Sequence, residues 1–168
     1  VIIDDIIDAV EAAVEGTTVT TDSSGVVAAG GDNPDSTTTV TYSPGQFAGL
    51  DTGDIENCGQ ERNFTVDVSS LEKIDGTGTS GKTNRSVRVT VRVKYVNENR
   101  GRRAFYSMAF SDAARIQDRV EVAINAVDGV GVCYSDPGAD VSWDAEEPTV
   151  AYLDVPFVVA YVDDLVTA

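Results

Sequence analysis

The sequence predicts an α+β domain. It reads as a mostly antiparallel β-sheet packed against two helices, with a long polar loop-and-strand insertion over residues 17–62. Three observations carry this prediction. Residues 2–15 repeat apolar side chains every three or four positions, as one face of a helix does. Residues 85–96 and 149–162 alternate with a period of two, as strands do. Residues 111–127 return to helical spacing between them. A chain of 168 residues is read as a single domain, 1–168, large enough to bury a proper core.

The first helix is VIIDDIIDAVEAAVEG. Ile2, Ile3, Ile6, Ile7, Val10, Ala13 and Val14 form its apolar stripe, and Asp4, Asp5, Asp8, Glu11 and Glu15 its wet face. Early acids suit the positive end of the helix dipole, and Gly16 is a natural stop. The stretch lacks basic residues, so it does not read as a secretion signal, and Val1 reads as following a removed Met.

Residues 17–62 read as loops with short strands at Thr17 to Thr21 and Thr37 to Tyr42, punctuated by Gly30, Gly31, Pro34, Pro44, Gly45, Gly49 and Gly53. Asp32 to Asp35 lacks the Gly and the closing Glu of a calcium loop. Phe64 to Val68 is a short strand. Residues 76–83 (GTGTSGKT) fit the nucleotide P-loop pattern at every position, but that loop must open a helix. Here the following residues alternate as a strand, so 75–84 is read as a hairpin loop and no nucleotide is expected. The sequons at Asn63 and Asn84 read as chance matches.

The strand Arg85 to Val96 is the centre of the prediction. Val87, Val89, Val91, Val93 and Tyr95 make one row, and Arg88, Thr90, Arg92 and Lys94 the other. With Lys82, Arg85, Arg100, Arg102 and Arg103, eight of the 12 basic residues fall between 82 and 103. Three explanations are open: the basic row faces acids within its own sheet, it is a seam between subunits, or, third, it is a patch that faces DNA. The candidate contact residues for a seam are Arg85, Arg88, Arg92, Lys94, Arg100, Arg102 and Arg103.

Ala104 to Phe110 is read as extending a strand. Ser111 or Asp112 then caps a helix whose stripe is Ile116, Val120, Ala123, Ile124 and Val127, ended by Gly129 and Gly131. Strands follow at Val130 to Tyr134, Val141 to Trp143 and Thr149 to Val162, with turns at residues 136–138 and 146–148. The last strand is apolar on both faces and is expected to be covered on both. Its Pro156 argues for an edge or a bulge.

Charge narrows the possible functions. There are 28 acidic residues against 12 basic ones, a net charge of -16, with 19 Asp, three Lys and no His. Such a charge opposes compaction at ordinary ionic strength, and at ~1 M salt the Debye length falls to about 3 Å and removes most of the repulsion. The composition resembles that of proteins from salt-in halophiles; an ordinary acidic protein is the alternative. Bulk charge disfavours duplex DNA binding. No run reaches the ~20 apolar residues of a membrane span. Without His the commonest general base is missing, and the few aromatics make a poor sugar cleft for a carboxylate pair, so no enzyme and no cofactor or metal is expected. Cys58 and Cys133 are read as free, half-buried thiols.

Residues 85–162 resemble the tail terminator (tail completion) proteins of long-tailed phages and related viruses. The pieces that carry the likeness are RVTVRVKYV, SDAARIQDRVEVAINAV and LDVPFVVAY, in that order. The resemblance implies a virion protein assembled in the host cytoplasm. It would form a ring, usually hexameric, that caps the tail tube, meets the head or neck, and lets DNA through its lumen without specific binding. With the salt-adapted composition, a tailed virus of haloarchaea is implied. A neck, head-completion or tube protein is the alternative in the same class, and a surface binding module of a halophile the alternative outside it.

Overall fold

The computed structural model describes residues 2–21, 38–41, 47–49, 55, 62–74, 82–97, 101–136 and 138–164. The order is α1 (Ile2–Glu15), β1 (Thr18–Thr21), β2 (Thr38–Thr41), β3 (Ala48–Gly49), β4 (Asn63–Lys73), β5 (Lys82–Val96), α2 (Arg102–Asn125), β6 (Val130–Ser135), β7 (Asp140–Trp143) and β8 (Val150–Asp164). The fold is α+β, as the periodicities predict. The small antiparallel pair β1–β2 stands apart from a main sheet ordered β3-β4-β5-β8-β6, with β7 also on β8. Every pairing in the main sheet is antiparallel except β3 with β4.

β5 and β8 are the axis of the sheet, in register from Lys82 opposite Asp164 to Val96 opposite Val150. Period two then decides burial. Val87, Val89, Val91, Val93 and Tyr95 lie on the same face as Leu153, Val155, Phe157, Val159 and Tyr161, and all are buried. Ile6, Val10 and Val14 of α1 and Phe105, Ile116, Val120 and Ile124 of α2 complete this core. Each such side chain contributes about 1.5–3 kcal/mol by leaving water.

α2 corrects the sequence reading. Ala104 to Phe110 is helical, and the helix begins at Arg102 with Gly101 as an extended N-cap. The buried positions Phe105, Ala109, Ala113, Ile116, Val120 and Ile124 keep one helical stripe throughout. The aromatic content of residues 105–110 suggests a strand in isolation. In the fold those rings build a cluster: Phe105 meets Tyr95 and Trp143 at centroid distances of 5.5 and 5.0 Å, and Trp143 Nε1 donates to the Tyr106 hydroxyl at 2.9 Å. Asp112 therefore caps nothing. It sits mid-helix, 1% exposed.

Other elements run longer than predicted. β4 reaches Lys73, with a bulge between Val68 and Ser70. Pro156 lies inside β8, between the residues that pair with β7 and those that pair with β6. Its carbonyl accepts from Asp136 N at 3.3 Å and Ser135 Oγ at 3.1 Å, on the side away from β5. In an antiparallel ladder a residue's N–H and C=O point the same way. The donor that proline lacks thus faces the gap between two short strands, and the β5 ladder loses nothing. The second face of β8 is covered at one end, where Val150 and Tyr152 bury against Ile55.

Glycine is called for where φ is positive. Gly129, after α2, has φ +87. At Gly16 a Cβ would stand 2.9 Å from the Arg119 guanidinium, which donates to the Gly16 carbonyl, so a side chain there would only shift the end of Arg119.

Candidate functional site

The basic row divides once folded. On the face of the sheet away from the helices lie Arg88, Arg92 and Lys94. Arg85 has the parity of the valines and lies on the helix side, where its Nε donates to Asp163 Oδ2 at 3.1 Å. Arg92 faces Asp154 directly across β5–β8, at 3.4 Å, and stacks over the Tyr152 ring at 4.5 Å. Arg88 donates to the Asp136 carbonyl at 3.2 Å. Lys94 is 4% exposed. Arg102 and Arg103 are exposed in the first turn of α2, where Arg102 lies 4.8 Å over the Trp143 ring. Arg100 lies outside the described residues. The structure thus brings Arg88, Arg92 and Lys94 together, turns Arg85 to the other face and places Arg102 and Arg103 at the helix start.

The electrostatics around Arg92 are acidic. Asp140 of β7 is the register partner of Asp154. Burial raises the Asp154 carboxyl above its ordinary pKa, Arg92 works against this, and the charges of Asp140 and Asp67 add to the rise. One guanidinium 3.4 Å away does not outweigh the combined effect of burial and two carboxylates. These cross-strand acids match Arg92 within the sheet itself, the first of the three explanations open from sequence.

Sequence reasoning missed a buried ionic centre. Arg62 Nε donates to Asp112 Oδ2 at 3.0 Å, and the Tyr95 hydroxyl donates to the same oxygen at 2.7 Å. Arg62 is 2% exposed, holds φ 63, and lies over the rings of Phe47 and Tyr95 at 5.6 and 5.8 Å. This centre ties the segment before β4 to β5 and α2. The available signal was an acid in helical phase with Ala109 and Ile116.

The other sequence candidates fall into place. Lys82 and Thr83 open β5, so the helix that a P-loop requires is not there; residues 75–81 lie outside the described residues. Asn63 is buried within β4 at 5% exposure, and the sequon there is inaccessible in the folded chain. Cys133 is a free, buried thiol, pushed up to about 12 by burial and by Glu121. Cys58 and Asp32 to Asp35 lie outside the described residues. Among the described residues no cluster of three His, Cys, Asp or Glu could hold a metal, and no helix is long and apolar enough to cross a membrane. No protein-family model matches the chain, and no curated protein matches it.

Proposed function

We propose that this chain is a structural virion protein whose subunits form a ring that caps a tail tube and joins it to the head or neck, without catalysis. The observation that supports this reading is the order from β5 to β8: a long central strand, a helix packed on its apolar face, two short strands and a closing strand that pairs with both. That order is the one on which the likeness to tail terminators rests. The acidic bulk suits a lumen crossed by DNA, since a wall that repels phosphate does not hold a passing duplex. A closed ring needs a heterologous contact. Arg88, Arg102 and Arg103 are the basic groups best placed to meet a neighbour's acids, because Arg85 and Arg92 pair within the subunit.

The test is the mass and shape of the purified protein in molar salt, by light scattering and negative-stain imaging, with and without tail tubes. Closed rings of about six subunits that stop tube growth are the expected result. A monomer that ignores tube ends overturns the reading, and open-ended tubes point to a tube protein. Arg88→Glu combined with Arg103→Glu is expected to abolish rings while the monomer stays folded. Rings that persist in that variant remove the basic seam.

A further inference from the structure

β6 stands at the end of the strand order β3-β4-β5-β8-β6, so one of its sides meets β8 and the other meets no strand among the described residues. Its sequence is VGVCYS, with no charge, no Pro and a single Gly. Asp128 and Asp136 are the nearest charges on either side. In a chain of net charge -16 the strand itself sets no acid against the same strand of a second copy. Short uncharged segments rich in β-branched and aromatic residues are the ones that pair edge to edge with another chain. Val132 and Tyr134, each 45% exposed, add an apolar row beside that edge.

Parity decides which backbone groups reach the edge. The Asp136 N–H donates to the Pro156 carbonyl of β8. Val132 and Tyr134 share that phase and turn their backbone groups to β8, so Cys133 and Ser135 turn theirs outward. Both outward donors are engaged by side chains of α2. The Cys133 N–H donates to Asn125 Oδ1 at 3.0 Å, and the Ser135 N–H to Glu121 Oε1 at 3.1 Å. Gln117 Nε2 donates to the Ser135 hydroxyl at 2.9 Å. The spacing explains the fit. Outward donors recur every second strand residue, about 6.8 Å, and helix positions four apart recur every 6 Å or so, about one turn. Gln117, Glu121 and Asn125 are four apart, and the helix runs against the strand, with Asn125 at Cys133 and Glu121 at Ser135.

We infer that Glu121 and Asn125 are a seal on the β6 edge, which keeps β6 from pairing antiparallel with β6 of a second copy. An incoming strand needs the outward donors for its own carbonyls, and the seal holds them on side chains of the same subunit. Gln117, one turn earlier on the same line, holds the Ser135 hydroxyl and steadies the end of the strand. The seal acts in a free subunit and in a ring alike, so it stands apart from the proposed seam.

Amide exchange followed residue by residue by NMR, with sedimentation of the full chain over a concentration series in molar salt, tests the seal. In the wild type the Cys133 and Ser135 amides are expected to be protected although no described strand pairs with them. Glu121→Ala is expected to speed exchange at Ser135, and Asn125→Ala at Cys133, each by about tenfold. The double alanine variant is expected to rise above the wild-type mass as concentration increases, and its two amides to regain protection as it does. Glu121→Gln has the same net charge as the double variant and keeps both acceptors, and it is expected to stay at the wild-type mass. A double variant that keeps the wild-type mass while both amides exchange freely overturns the inference. Association without recovery of those amides also overturns it, since the contact then lies elsewhere. So does a Glu121→Gln variant that associates like the double variant, since charge and not the hydrogen bonds was then the barrier. The single variants carry the same exchange readout should the double variant melt early, and amides that stay protected in both overturn the seal.

Discussion

Asp112 shows how much one buried acid can hold. It accepts from Arg62 and Tyr95 in a site almost closed to water. Removing one partner of a buried pair leaves the other charge uncompensated, which costs about 3–5 kcal/mol. Asp112→Ala and Asp112→Asn are both expected to lose stability on that scale in chemical unfolding, far more than the loss from an exposed acid such as Asp118. Cys133 makes the opposite kind of prediction. Its thiol is raised to about 12 from 9.0, so between those values the unfolded chain loses a proton that the folded chain keeps. Stability is therefore expected to fall as pH rises through that window. In a Cys58→Ser background at pH 8, an alkylating reagent is expected to label Cys133 only when the chain unfolds. Labelling of the native protein at the rate of an exposed thiol would contradict the burial. Cys133 was read from the sequence as a free, half-buried thiol and is free and buried, whereas the Asp112 centre was not legible, because it depends on contacts between distant segments. Arg62 and Asp112 are 50 positions apart.

At the scale of elements, legibility followed periodicity. α1, β5 and α2 beyond Ser111 announced themselves because an apolar row alternates with a polar one, and β8 because it is a long alternating run that is apolar on both faces. The start of α2 did not. Phe105, Tyr106 and Phe110 carry strand preference, and their helical phase becomes evident only beside Trp143 and Tyr95, which arrive from other strands. β4 was cut short for a related reason: all residues from Asp67 to Lys73 are exposed, so no apolar alternation marks them. The basic row was legible as a row, but its partners were not, since nothing in the local sequence says that Asp154 will lie opposite Arg92. Register also sets Asp140 against Asp154, two like charges on adjacent strands. Like charges facing each other destabilise a sheet by a fraction of a kcal/mol to about 1 kcal/mol. Asp140→Asn is expected to raise the melting temperature in dilute buffer, and the gain is expected to shrink in molar salt. No gain at low salt would mean that Arg92 already satisfies both acids.

Apart from Asp112, the described acids are exposed or partly exposed, and stability is expected to depend on salt. Raising salt from ~0.1 M to ~1 M shortens the Debye length from about 10 Å to about 3 Å, which screens repulsion among surface acids while hardly touching the buried Arg62–Asp112 pair. The unfolding midpoint is expected to climb steeply over that range, and a flat response would remove the halophile reading. The link between the two helices has a different consequence. α1 has no basic residue in its last turn, and the cation at its end belongs to α2, where Arg119 reaches the Gly16 carbonyl at 2.9 Å. The end of the first helix is thus finished by a residue that enters the chain a hundred positions later. Opening of α1 then requires breaking a contact to α2, and the pair is expected to exchange its amide hydrogens as one cooperative unit, slower than a terminal helix left to fray. Arg119→Ala is expected to speed deuterium uptake across residues 10–16 while β5 and β8 keep their protection, so that the loss of one distant cation loosens the end of α1 alone.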